Sequence, residues 1–170
     1  RRAHWDTVTN KARERARREA DQFRAETREL TDAVERDSLT GIGNRRAFDR
    51  ALGALLSQGD ARCTLALIDC DHFKAVNDRA SHLAGDRVLQ RIAKVLTQAS
   101  RKSDLAARFG GDEFAVVFAD AGRDEAANVC ERIRAAIEQY ADDGAPAVTV
   151  SIGVAAAAPG DTVERLIGRA

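Results

Sequence analysis

The stretch "ARFGGDEFAVVF" runs from Ala107 to Phe118. Two apolar segments flank a Gly-Gly step and a pair of adjacent acids. This is the pattern of a β-hairpin, with Leu105–Phe109 and Glu113–Phe118 as its strands and the glycines at its tip. A tip needs polar residues, and the two carboxylates meet that need on their own. Carboxylates held close together also repel unless they are protonated or neutralised by a cation. The glycines suit a tight turn, and they equally suit the close approach of a bulky anionic ligand to the backbone. Residues 107–118 alone leave both readings open.

Upstream, "CTLALIDCD" (Cys63–Asp71) is a near-continuous apolar run, which predicts a strand buried on both faces. It ends in Asp69-Cys70-Asp71. If this strand neighbours the hairpin, its acids converge with Asp112 and Glu113. Such hard oxygen donors suit Mg²⁺, which takes one or two carboxylates together with waters and substrate phosphates. Two such ions on a triphosphate activate an attacking hydroxyl and stabilise the leaving pyrophosphate. The alternative is a solvated tip beside a strand end that is merely acidic.

Lys74 follows at the start of a predicted helix, where amides and an ammonium together can hold phosphate. Asn77, His82 and Asp86 come next, and His82 and Asp86, four residues apart, share one helix face. An Asp that accepts from N1–H and N2–H₂ and an Asn that donates to O6 or N7 can read a guanine edge. Asn77 is equally at home as a helix-end residue, and His82 as a surface histidine.

The rest of the chain fills in one architecture. The first 37 residues lack Gly and Pro. Trp5, Val8, Ala12, Ala16, Ala20, Phe23, Thr27, Leu30 and Val34 form one thin helical stripe there, and a parallel coiled coil between two copies would bury it. "DSLTGIGNRRAF" (Asp37–Phe48) breaks the pattern with turn and cap residues and marks a domain boundary. A helix carrying Phe48, Leu52, Leu55 and Leu56 follows, and a later one carries Val88, Leu89, Ile92, Val95 and Leu96. Asp124–Tyr140 reads as a helix with Ala127, Cys130, Ile133, Ala136 and Ile137 inward. "AVTVSIGVAAA" (Ala147–Ala157) is a further strand, and a last helix starts at Thr162. Helices alternating with strands around an antiparallel hairpin predict an α/β sandwich, one sheet covered by helices.

Composition excludes several classes. The chain has 170 residues with 27 basic and 27 acidic side chains, so its totals give no support to non-specific nucleic-acid binding. Cys63, Cys70 and Cys130 are widely spaced without a CxxC pair, and read as buried free thiols of a reducing compartment. No apolar run is long enough to span a membrane. There is no methionine, so the chain is expected to be a piece of a longer protein. The expected location is the cytoplasm, on its own or as the cytoplasmic part of a membrane-anchored protein.

Five stretches together, "DSLTGIGNRRAF", "LIDCDHFKAVND", "HLAGDRVL", "RKSDLAARFGGDEFAVVF" and "VTVSIGVA", resemble the GGDEF domain of bacterial diguanylate cyclases in order and spacing, from Asp37 to about Ala155. The resemblance implies a mostly antiparallel sheet flanked by helices, similar to the adenylyl-cyclase core and the polymerase palm. It implies condensation of two GTP into cyclic di-GMP by two domains that meet face to face, with Mg²⁺, two per active half-site, or Mn²⁺ in its place. Residue by residue, Asp69, Asp112 and Glu113 would hold metal together with the Cys70 carbonyl. Asp112 is also the candidate proton acceptor, and Glu113 would assist it. Lys74 would stabilise phosphate charge, and His72 and Phe73 would offer backbone amides. Asn77 and Asp86 would recognise guanine, with His82 nearby, and Gly110 and Gly111 would leave room for the nucleotide. Domains of 1–37, a coiled-coil signalling helix through which the chain would dimerise, and 38–170, the catalytic domain, follow from the same comparison.

"RKSD" (Arg101–Asp104) resembles the family's RxxD product-inhibition motif, and Arg132 falls where the family often supplies another inhibitory arginine. A strand rises about 3.3 Å per residue, which would put Asp104 and Asp112 some 20–25 Å apart. Cyclic di-GMP bound at Arg101 would then act from a distinct site. Two departures stand out. Ser81 replaces the glycine usual before the histidine, and would be strained if that position needs φ > 0. The chain also stops at Arg169-Ala170, where the family continues with a helix and strand carrying Lys and Arg for the triphosphate. The resemblance therefore implies a C-terminally truncated domain with weakened GTP affinity and an uncovered sheet edge. The competing function is a catalytically silent receptor for GTP or cyclic di-GMP.

Overall fold

Strand β1 (Cys63–Cys70) holds an inner place in the sheet because both of its faces carry apolar side chains. In the computed structural model, which describes residues 17–23, 34–58, 62–140 and 144–170, β1 lies between β3 (Glu113–Ala119) and β4 (Val150–Ala156). Strand β2 (Leu105–Gly110) pairs on the outer side of β3. The order is β2-β3-β1-β4, and every pair is antiparallel.

Helices cover both faces. They are α1 (Arg45–Ser57), α2 (Phe73–Arg79), α3 (His82–Ala99), α4 (Arg123–Gln139) and α5 (Val163–Ile167). On one face Ile68, Phe114 and Val116 pack with Val88 and Ile92 of α3 and Ile133 and Ile137 of α4. On the other, Leu65, Ala115 and Val117 pack with Phe48 and Leu52 of α1 and Leu166 of α5. Alternation along β1 and β3 delivers one set of side chains to each core. This is the helix-flanked antiparallel sheet that the sequence predicts.

Two details differ from expectation. In α4 the buried stripe is Ala126, Cys130, Ile133 and Ile137, whereas Ala127 and Ala136 are exposed. The 126-130-133-137 spacing keeps a narrower helical face than the predicted set. Ser81 has φ 169° and ψ 165°, an extended backbone open to any residue, so the expected strain is absent. Its hydroxyl instead accepts from the Ala84 N–H at 3.1 Å and caps α3. At the C-terminus Thr162 caps α5, Leu166 is fully buried on the face of Phe48 and Leu52, and the Ala170 carbonyl lies where a Cβ on Gly153 would be, while β4 stays an edge strand of the described sheet.

Residues 1–35 form a unit separate from 36–170. Within it, 17–23 and 34–35 are helical, and Ala20, Phe23 and Val34 are exposed. Trp5, Val8, Ala12, Ala16, Thr27 and Leu30 of the predicted stripe lie outside the described residues. Among the described residues no helix is long and apolar enough to cross a membrane.

Candidate functional site

Asp69 and Glu113 are register partners across β1 and β3. Alternation puts Asp69 on the face of Leu65 and Leu67, and Glu113 on the face of Ala115, so both acids stand on the same side of the sheet at its end. Asp112 lies in the turn, and its carbonyl accepts from the Cys70 N–H at 3.3 Å, which ties the hairpin tip to the end of β1. A cleft of about 370 Å³ opens beside them, lined by Asp69, Glu113, Phe109, Ser151 and Leu67 among others.

The electrostatics of this end are crowded. Lost solvation, then Asp112 and Asp71, push the Asp69 carboxyl above its ordinary range. Burial, then Asp112, Asp69 and Asp71, pushes the Cys70 thiol up to about 12. Cys70 is thus a neutral core thiol, and only its backbone is open to polar contacts at the site. Asp71 behaves differently. Its carboxylate accepts from the hydroxyls of Thr149 and Ser151 at 2.6 and 2.7 Å, and these bonds hold it below the usual range. Asp71 therefore fastens β1 to the start of β4, which leaves Asp69, Asp112 and Glu113 as the open acids.

Those three supply hard oxygen donors of the kind Mg²⁺ prefers. Among the described residues no three His, Cys, Asp or Glu side chains converge enough to hold an ion by themselves. Mg²⁺ usually takes only one or two carboxylates and completes its shell with waters and substrate phosphates. The donor set fits Mg²⁺ on these terms.

Beyond β1 the chain turns through His72, at φ 56°, into α2, which carries an exposed Lys74 one residue into its first turn. Three residues on, Asn77 Oδ1 is buried with no hydrogen-bond partner. It presses on Gly85 of α3, where a Cβ would collide with it and crowd Phe73. The sequence suggests Asn77 as a donor to guanine; the structure turns its acceptor oxygen inward, so the group that lacks a partner requires an N–H. Asp86 is half-buried one residue beyond Gly85, and His82 is exposed one turn earlier. Asn77 thus meets α3 at Gly85, in the part of that helix that also carries His82 and Asp86.

The Arg101–Asp104 loop stands at the opposite end of the hairpin. Asp104 accepts from the Arg101 N–H at 2.8 Å and from the Ala119 N–H, at the far end of β3, at 3.2 Å. Both Asp104 oxygens are thereby engaged in the loop itself. The Arg101 guanidinium pairs instead with Glu125 of α4 at 2.7 Å. Arg132 is exposed two turns beyond Glu125 on the same helix face. Arg101 and Arg132 therefore border one surface.

Sequence reasoning passed over Glu125, the Thr149 and Ser151 hydroxyls, and Arg108. Of these, only Arg108 carried a signal, as a charge inside an apolar strand two residues before the glycines.

Comparison with known proteins shows the family and the fold. The family described as "Diguanylate cyclase, GGDEF domain" matches residues 34–170. Diguanylate cyclase VdcA of Vibrio cholerae is 39% identical over 140 residues, 79% of this chain and 41% of that protein. The chain thus spans well under half of that relative. Among solved structures, the coiled coil and GGDEF domain of DgcB from Caulobacter crescentus, in complex with c-di-GMP, aligns with a TM-score of 0.79 at 30% identity, over 91% of this chain and 86% of that one. Diguanylate cyclase SiaD of Pseudomonas aeruginosa, in complex with its activator SiaC, aligns with a TM-score of 0.77 at 33% identity, over 92% and 64%.

Proposed function

The chain belongs to the GGDEF family of diguanylate cyclases, and on that premise we propose that it condenses two GTP molecules into cyclic di-GMP and two pyrophosphates. The observation that carries this reading is the in-register Asp69–Glu113 pair, with Asp112 joined to the Cys70 amide at the same sheet end. Asp69, Asp112, Glu113 and the Cys70 carbonyl would hold Mg²⁺, or Mn²⁺ in its place, two ions per half-site. When bound, these ions neutralise phosphate charge and lower the cost of forming the attacking alkoxide.

The chain's own groups do the rest. Asn77 and Asp86 read the guanine, with His82 beside it. Lys74 and the His72 and Phe73 amides take the phosphates, and Gly110 and Gly111 let them approach the backbone. The 3′-oxygen of one GTP attacks the α-phosphorus of the other, and the bond to the β-phosphate oxygen breaks to release pyrophosphate. Asp112, assisted by Glu113, takes the hydroxyl proton. Lys74 offsets the charge that develops on the phosphoryl oxygens.

One chain presents one such half-site, so two copies must face each other. The division into 1–37 and 38–170 belongs to this reading, with the first segment bringing two copies together as a coiled coil in the cytoplasm. Cyclic di-GMP would bind back at Arg101, Asp104 and Arg132 and restrain the two domains. Support comes from the position of that loop at the other end of the hairpin from Asp112.

A silent receptor is the second reading, because the surface around Arg101 and Arg132 does not involve the acidic tip. Calorimetry with GTP and with cyclic di-GMP, alongside a product assay in Mg²⁺, separates the two. A cyclase binds GTP and turns it over, whereas a receptor binds one nucleotide and forms no product.

A further inference from the structure

Arg108 sits in β2 opposite Phe114, two residues before the Gly-Gly step. An arginine on an outer strand ordinarily extends its head group into water. This one folds back to the hairpin tip. Its Nε and Nη2 both donate to the Gly111 carbonyl, at 2.8 and 2.7 Å, and its Nη1 lies 3.3 Å from each oxygen of Asp37. The Arg108 and Asp37 side chains are only 18% and 19% exposed. A register shift between Arg108 and Gly110 accompanies the turn-back, as expected of an irregularity that re-aims a side chain.

The far end of the bridge is equally fixed. Asp37 accepts from the N–H and the hydroxyl of Thr40, at 2.9 and 2.6 Å. Its backbone closes the loop through bonds to Ile42 and Gly41. The same loop is fastened to β2, since Gly43 donates to Ala106 at 3.0 Å and Arg108 donates to Gly43 at 2.7 Å.

The carbonyl being held is the important part. Gly111 has φ +48°, and with two glycines at the tip little else restricts the peptide between Gly111 and Asp112. The plane of that peptide sets where Asp112 points. Two donors on one carbonyl fix the plane, and Asp37 fixes the donors. A lysine cannot do this, because a point charge lacks the planar fork that reaches carbonyl and carboxylate together.

We propose that Arg108 is a positioning residue for the acidic tip, anchored by Asp37, so that the loop from Asp37 to Gly43 and Asp112 move as one piece. The catalytic consequence rests on the cyclase reading; the geometric one does not. The test is amide hydrogen exchange by NMR together with steady-state kinetics, on wild type, Arg108→Ala, Arg108→Lys and Asp37→Asn. The reporter is the Cys70 amide, which donates to the Asp112 carbonyl, with mid-β1 amides as the control for global folding. Arg108→Ala and Arg108→Lys should speed Cys70 exchange about tenfold, the equivalent of one charge-assisted hydrogen bond. They should also lower kcat with little change in the KM for GTP. Asp37→Asn should shift both in the same direction by less. A folded Arg108→Ala protein with wild-type exchange at Cys70 overturns the proposal, whatever its turnover. A wild type that makes no cyclic di-GMP defeats the cyclase reading instead, and the exchange data still decide on the clamp.

Discussion

Asp69 and Glu113 face each other in register across β1 and β3, on the side of the sheet where the 370 Å³ cleft opens. Like charges gather at this sheet end, and lost solvation, followed by the neighbouring Asp112 and Asp71, raises the Asp69 carboxyl. Asp69→Asn should therefore cut divalent-ion affinity and turnover. Measured without divalent ions at neutral pH, it should leave the melting temperature unchanged or higher, because a charge that is costly in the folded state has gone. A lower melting temperature without metal would mean that Asp69 is a structural anchor.

Asn77 and Gly85 fit against each other with no room for a side chain between them. Alanine stabilises a helix interior by roughly 1 kcal/mol relative to glycine. Gly85→Ala should thus keep α3 intact while displacing Asn77. The expected result is a GTP affinity reduced by about tenfold or more, the loss of one good hydrogen bond, with a normal circular dichroism spectrum. Unchanged GTP affinity would remove Asn77 from the guanine site.

The Arg101 guanidinium is engaged by Glu125. A ligand that uses Arg101 must displace that carboxylate. Glu125→Gln should tighten cyclic di-GMP binding a few-fold, as expected from loss of an exposed ion pair worth up to about 1 kcal/mol. Arg101→Ala should abolish product inhibition and spare catalysis. Isothermal titration and inhibition curves check both, and an unchanged inhibition constant in Arg101→Ala would place the inhibitory site elsewhere.

Burial alone would raise the Asp37 carboxyl, yet the Thr40 hydroxyl and amide, together with Arg108, hold it below its ordinary range. A depressed carboxyl contributes stability that is present above its unfolded value, about 3.9, and lost as pH falls through the folded one. Urea unfolding should show Asp37→Asn less stable than wild type at neutral pH. The gap should narrow below pH about 4. A gap that does not depend on pH would assign the loss to packing rather than to charge.

Much of this was legible in the sequence. The doubly buried run at 63–70, the hairpin around Gly110-Gly111 and the acids at both strand ends could be read from apolar patterning and turn chemistry, because those depend on near neighbours. What could not be read depends on which long side chain reaches which distant carbonyl. Arg108 crosses from β2 to the tip and to Asp37, 71 residues away in sequence, and Glu125 meets Arg101 only because α4 returns beside the 101–104 loop. Ser81 shows the reverse error. A residue-type rule predicts strain there, whereas the backbone is extended and the hydroxyl becomes a helix cap.

The central claim is that the acids at this sheet end carry phosphoryl transfer. The most direct measurement incubates the chain with GTP and Mg²⁺ and quantifies cyclic di-GMP and pyrophosphate for wild type and Asp112→Asn, with folding checked by circular dichroism. The account predicts one cyclic di-GMP for every two pyrophosphates from wild type and none from the folded variant. Equal product from both proteins, or GTP binding by wild type with no product at all, would contradict it.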